Sequence, residues 1–350
     1  MRHTQRSSHT VPRLLVAAIA FMTVIILIAP QLGEAAPSFS WTRIDQQVGQ
    51  IAPDNNLLVA EFAGNNCRPI HAVNASDQLA IASVFKLYVL GELAQQVQAG
   101  EVACDEPVTL TENLRSMPSG DYAWVPAGQQ VPVLRLAEAM IWQSDNTATD
   151  HLIGRLGREN VERAFAAFGH ADPEVNQPLL LTRELFAIKM WQPADWIARY
   201  MAASDEEQLE LLTSEFDGRR INPDGGWGQW SGPMAIDGVE WFASAKDLCR
   251  VMVGLWTMGA QPGLEPVRDI LVGNRGGIGD IATWPRAGVK NGFEAGVVSS
   301  AWVLERNDGR VFFVTAGFND QRRVVSADAP GAVLAPVFGC LANYDKPGDC

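Results

Sequence analysis

The chain has 350 residues, 47% of them hydrophobic and 19% charged, with 27 Lys and Arg against 40 Asp and Glu. That composition is too apolar for a disordered tail, and with a single long apolar run it is not a polytopic membrane protein. The net charge of −13 argues against nucleic acid as a partner, because phosphate binding needs clustered Lys and Arg.

Arg2, Arg6 and Arg13 precede an uncharged run of 16 residues, Leu14 to Ala29, followed by Pro30, Gly33 and Ala35. A basic start, an apolar stretch and small residues at a cut are the pattern of a secretory signal, placed here at 1–35 with cleavage after Ala35. The run falls short of the roughly 20 residues that span a bilayer. An uncleaved anchor is the alternative, and the only membrane contact expected. Removal leaves 24 basic and 39 acidic residues, net −15, in an exported domain of residues 36–350, secreted or held in the cell envelope or periplasm.

In the mature chain, the pattern predicts a helix over 41–51, with Ile44, Val48 and Ile51 on one face, then strands over 57–62 and 68–73 around Gly64-Asn65-Asn66. An apolar helix is expected over 83–97. Helical periods follow over 133–142, 147–156, 161–168, 182–190, 193–201 and 206–212. Residues 214–240, rich in Gly, Pro and Trp, read as a loop, and 244–258 as a helix. The period then shortens, predicting strands over 286–290, 296–305 and 311–318, with Asn307-Asp308-Gly309 as a hairpin turn, and a closing helix over 332–342.

Two strands at one end and three at the other cannot each bury a face alone. The economical solution is one antiparallel sheet of about five strands drawn from both chain ends, an α/β (α+β) fold. Its sheet lobe spans about 36–80 and 244–350, its helical lobe about 81–243, with a cleft between them as the place for a site. Of the five cysteines, Cys67 with Cys104 and Cys340 with Cys350 are candidate bridges. Cys249 reads as a small core hydrophobe. No metal-ligand spacing occurs, so neither metal nor cofactor is expected.

Three short motifs carry the chemistry. Ser83-Val84-Phe85-Lys86 places a lysine three residues after a serine in an apolar helix. Burial there lowers an ammonium's pKa toward that of a base able to take the serine's proton. Free N–H groups at the helix start suit an oxyanion. A capping serine with a snorkelling lysine is the plainer reading. Only five of the basic residues are Lys, however, which sets a Lys in such a helix apart, and Arg could not serve. Ser144-Asp145-Asn146 offers a second hydroxyl to relay a proton and an amide to bind substrate, with Asp145 holding the turn and a helix cap as the plainer reading. Lys290-Asn291-Gly292 offers a cation for a carboxylate and a glycine for close approach, with the Phe293 N–H as a second oxyanion donor. Alone it reads as an edge strand with a solvated lysine.

In this order, on a helix, a loop and a strand, the three motifs resemble those of class A β-lactamases and penicillin-binding proteins. The segments Ser83 to Gly91, Thr182 to Phe186 and Glu240 to Ser244 also resemble this superfamily, in the exported branch that includes the β-lactamase-like domain of a clavulanate-pathway hydrolase. The resemblance covers about residues 40–342. It implies a β-lactamase/transpeptidase-like fold with Ser83 as nucleophile, Lys86 as its base, Ser144 as proton shuttle, and Asn146, Lys290, Gly292 and Phe293 as substrate-binding residues. The implied activity is hydrolysis of β-lactam-type amides by a monomer acting on a small molecule. The alternatives are a D-Ala-D-Ala peptidase, an esterase, or a penicillin-binding sensor that turns over slowly. Two departures stand out. Asn291 replaces the family's Thr or Ser, and Pro173-Glu174-Val175-Asn176 only locally resembles the stretch that carries the deacylating Glu.

Overall fold

Strand β1 (Asp54–Ala63) alternates its apolar side chains, Leu57 and Val59 to one side and Leu58 and Ala60 to the other, and all four are buried. A strand with both faces apolar needs cover on both, and this requirement organises the molecule. The structure, a computed structural model, describes residues 39–219, 232–346, 348 and 350. All of these lie in the unit that begins at Ala35. The expected signal at 1–35, and Trp227 and Trp230 of the expected loop, fall outside the described residues.

Helix α1 (Trp41–Ile51) leads into β1 and β2 (Asn66–Val73). After β3 (Leu79–Ala80) comes a 3₁₀ turn, Ala82–Phe85, that runs directly into α2 (Lys86–Ala99). The short strands β4 (Pro107–Thr109) and β5 (Gln130–Pro132) precede α3 (Val133–Trp142), α4 (Asn146–Leu156) and α5 (Arg158–Ala167). A 3₁₀ turn at Pro173–Asn176 precedes α6 (Thr182–Trp191), α7 (Ala194–Ala202) and α8 (Asp205–Phe216). The chain closes with β6 (Phe242–Ala243), α9 (Ala245–Met258), α10 (Glu265–Val272), β7 (Arg286–Glu294), β8 (Val297–Glu305), β9 (Val311–Asn319) and α11 (Gly331–Ala342).

The main sheet has five strands in the order β2-β1-β9-β8-β7, every pair antiparallel, so it is sewn from both chain ends. Ile44 and Val48 of α1 and Val333, Val337 and Leu341 of α11 cover one face, against Leu57, Val59 and Phe312. Leu248, Met252 and Leu255 of α9 cover the other, in a core that joins Leu58, Ala301 and Phe313 to the helical segments through Val84, Phe85 and Tyr88. Strand β7 is an edge, and it packs beside the Ala82–Phe85 turn.

Three expectations change. Ser83 lies in the 3₁₀ turn, and the α-helix proper begins at Lys86. The strand expected over 286–290 runs on to Glu294, because Gly292 and Glu294 stay buried while Asn291 and Phe293 face outward. Cys67 bridges Cys249, not Cys104. The edge strand β2 lies against α9 and brings the two Cα atoms to 6.3 Å, within disulfide reach. Cys340 bridges Cys350 as expected, and Cys104 is the free thiol. Thiol titration of the native protein should therefore count one reactive group, at Cys104. Cys67→Ser should lower the unfolding free energy by about 2–5 kcal/mol in a urea titration.

Candidate active site

Two residues with left-handed backbone frame the site, Ala82 at φ 44° and Ser144 at φ 58°. Such angles in non-glycine residues cost of order 1–3 kcal/mol and persist only where surrounding contacts enforce them. At Ala82, Ile81 N–H donates to the Trp241 carbonyl (2.8 Å), and the Trp241 ring stacks on Phe85 at 3.8 Å. At Ser144 the following residue does the holding. The Asp145 carboxylate caps α4 through Ala148 N–H (2.8 Å) and also accepts from Ser119 Oγ (2.7 Å) and Tyr122 N–H (2.9 Å).

Lys86, on the first turn of α2, is fully buried. Its Nζ donates to the Ser144 carbonyl (2.7 Å), Ser144 Oγ (3.1 Å) and Asn146 Oδ1 (2.5 Å). Lys290 reaches the same hydroxyl from β7, donating to Ser144 Oγ (2.9 Å) and to the Asn291 carbonyl (2.7 Å). Accepting from both lysines uses the lone pairs of Ser144 and leaves its O–H free to donate. Burial pushes Lys86 down to about 7, against the pull of Asp145 and Asp150. Burial, then the neighbouring Lys86, holds Lys290 well below the usual lysine range. The pair thus favours losing a proton near neutral pH, and this is how a lysine becomes a base.

Of the residues singled out in the sequence, Lys86, Ser144, Asn146 and Lys290 meet in one hydrogen-bonded group. Ser83 is partly exposed, and among the described residues its Oγ makes no hydrogen bond. Gly292 lies against the Ser83 turn: a Cβ there would stand 2.2 Å from the Ile81 carbonyl oxygen and 3.0 Å from Ser83 N. Phe293, the next residue, is 55% exposed. Gly292→Ala should force β7 away from the Ser83 turn, and with Ser83 as the nucleophile expected from the sequence it should slow acylation by about 10²-fold, measured as a rate constant. The accompanying stability loss should be about 1–3 kcal/mol.

Two further polar groups here, Asp150 and Ser116, were not singled out in the sequence. Asp150 is fully buried, with its carboxyl pushed up to about 7 by burial, and it accepts from Thr182 N–H, Thr182 Oγ1 and Arg183 N–H. Thr182 Oγ1 also contacts Ser116 Oγ (2.8 Å) and the Asn146 carbonyl (3.2 Å), which ties α6 to the Ser144 loop. Glu174 is exposed on its 3₁₀ turn. Asn176 is the buried member of that stretch, and its amide pairs with both N–H (2.8 Å) and carbonyl (3.0 Å) of Phe242.

The pattern of the β-lactamase enzyme family matches residues 58–271, more than half of the chain. The chain belongs to the β-lactamase enzyme family. The matched stretch takes in Ser83, Lys86, Ser144 and Asn146 and ends before Lys290. No curated protein matches in sequence. Solved structures share the fold. A β-lactamase from Sphaerobacter thermophilus is 17% identical with a TM-score of 0.60, covering 89% of this chain and 100% of its own. PBP-A, in a mutant captured as an acyl-enzyme complex with penicillin-G, is 17% identical with a TM-score of 0.56 and the same coverage, 89% and 100%. An ancestral class A β-lactamase is 20% identical with a TM-score of 0.57, covering 85% of this chain and 95% of its own. Family and fold together support a hydrolase of the β-lactamase type, built on the β-lactamase/transpeptidase-like fold.

Proposed function

We propose that this β-lactamase family member is an exported serine hydrolase that opens β-lactam-type amides through an acyl-enzyme on Ser83. One observation carries the reading: Lys86 and Lys290 both donate to Ser144 Oγ, beside the turn that presents Ser83. In this scheme neutral Lys86 takes the Ser83 proton as Oγ attacks the carbonyl carbon. The N–H groups of Ser83 and Phe293 receive the oxyanion. Ser144 gives its proton to the departing nitrogen and takes the one Lys86 removed from Ser83, Asn146 holds the side-chain amide, and Lys290 attracts the substrate carboxylate. No cofactor takes part. The protein acts as a monomer on a small molecule. Its disulfides support export to an oxidising compartment.

Deacylation is the slower step in this account. Glu174 is exposed, and among the described residues no carboxylate accepts a hydrogen bond from Ser144 Oγ or from either lysine's Nζ. A chromogenic cephalosporin followed together with intact-protein mass tests both steps. The expected result is a burst of one product per protein with a matching mass gain, then slower steady turnover. Absence of both adduct and hydrolysis would refute the proposal, and turnover of a D-Ala-D-Ala peptide or a short acyl ester alone would move the assignment to those substrates.

A further inference from the structure

Beyond the Ser144 group, the molecule holds a second set of buried charges. Lys189 on α6 is 2% exposed, Glu240 before β6 is 5% and Glu294 at the end of β7 is 6%. Lys189 Nζ donates to both carboxylate oxygens of Glu294 (2.7 and 2.8 Å) and to Glu240 Oε1 (3.3 Å). Glu240 Oε2 accepts from Trp241 N–H (3.0 Å).

One carboxylate belongs to the segment that packs on the Ser83 turn, and the other to the strand that carries the Phe293 N–H. Glu240 adjoins Trp241, whose carbonyl accepts from Ile81 N–H and whose ring stacks on Phe85, so this segment sets the turn that holds Ser83. Glu294 directly follows Phe293 on the free edge of the sheet. An edge strand has no sheet partner on its outer side, so its spacing from the Ser83 turn must be fixed by other contacts. Gly292 allows close approach, and a cation shared between the two segments resists their separation.

We propose that Lys189, Glu240 and Glu294 form a clamp that fixes the separation of the Ser83 and Phe293 N–H groups and so sets the oxyanion hole. These are positioning residues, and the assignment rests on the Ser83 acylation proposed above. Burial and the neighbouring Glu240 hold Glu294 well above the ordinary carboxylate range.

The test measures acylation of the full chain by benzylpenicillin as a limiting rate and a half-saturation concentration, with a melting curve for each protein. Lys189→Met alone would strand two buried carboxylates and is expected to unfold, so the informative protein is Lys189→Met/Glu240→Gln/Glu294→Gln. Neutral groups of similar volume commonly replace a buried ion cluster without loss of stability. The triple variant should melt no lower than the wild type, acylate at least about tenfold more slowly, and keep its half-saturation within about threefold. Glu240→Gln alone, whose amide oxygen can still accept from Lys189 and so keeps the bridge to Glu294, should hold the wild-type rate within about threefold. If the triple variant does not fold, Glu240→Ala carries the same readout. A folded triple variant, or in its place a folded Glu240→Ala, that acylates at the wild-type rate or changes only half-saturation overturns the clamp alone. A wild-type chain that takes no adduct on Ser83 overturns the acylation reading and the clamp with it.

Discussion

Ser83→Ala should abolish covalent labelling by benzylpenicillin and cut steady hydrolysis by about 10³-fold or more, measured by intact mass and by chromogenic turnover. The size of the effect follows from the proposed acyl-enzyme, in which Ser83 Oγ forms the bond to substrate. The fold should not change. Ser83 Oγ makes no hydrogen bond among the described residues and is partly exposed, so its loss leaves no buried partner unsatisfied. A melting curve that overlays the wild type would show that the lost labelling is chemical in origin. Full labelling of Ser83→Ala would place the nucleophile elsewhere.

The second large effect concerns Lys86. The active form of a lysine base is the neutral amine, and burial brings this group down to about 7. Below that pH the ammonium predominates and cannot accept the Ser83 proton. The limiting acylation rate should therefore climb about tenfold per pH unit up to about 7 and level off above it. Lys86→Met should lower the plateau by about 10²–10⁴-fold. Lys86→Arg separates the base from the scaffold. Arginine can still donate toward Ser144 and Asn146 but does not deprotonate in this range, so the rate should be as low as with Met and show no rise near 7. A Lys86→Arg enzyme with wild-type rate and pH profile would exclude Lys86 as the base.

The sheet was legible because its strands carry local signals. The 311–318 run is apolar at nearly every position, as a strand covered on both faces must be, and it lies at the centre of the sheet. The hairpin turn at Asn307-Asp308-Gly309 fixed the pairing of β8 with β9. Within the site, Lys86 and Lys290 could be marked from scarcity, since only five lysines occur in the chain. The same argument applies to Lys189, the third buried lysine, whereas Lys246 and Lys346 are exposed. It was missed because its partners have no local spacing: Glu240 is 51 residues away and Glu294 is 105. The Cys67–Cys249 bridge spans 182 residues and was hidden in the same way, behind a helix face on which cysteine passes for a core residue. In the Pro173–Asn176 stretch the motif was legible but its burial was not. The 3₁₀ turn buries Asn176 against Phe242 and leaves Glu174 in solvent.

The central claim, that two N–H groups and two lysines converge on an acylated Ser83, is tested most directly by a crystal structure of the wild-type chain reacted with benzylpenicillin. Expected is an ester on Ser83 Oγ, its carbonyl oxygen within hydrogen-bond distance of Ser83 N–H and Phe293 N–H, and the substrate carboxylate turned toward Lys290. An intact ring, an adduct on another residue, or an ester whose oxygen points away from β7 would contradict it.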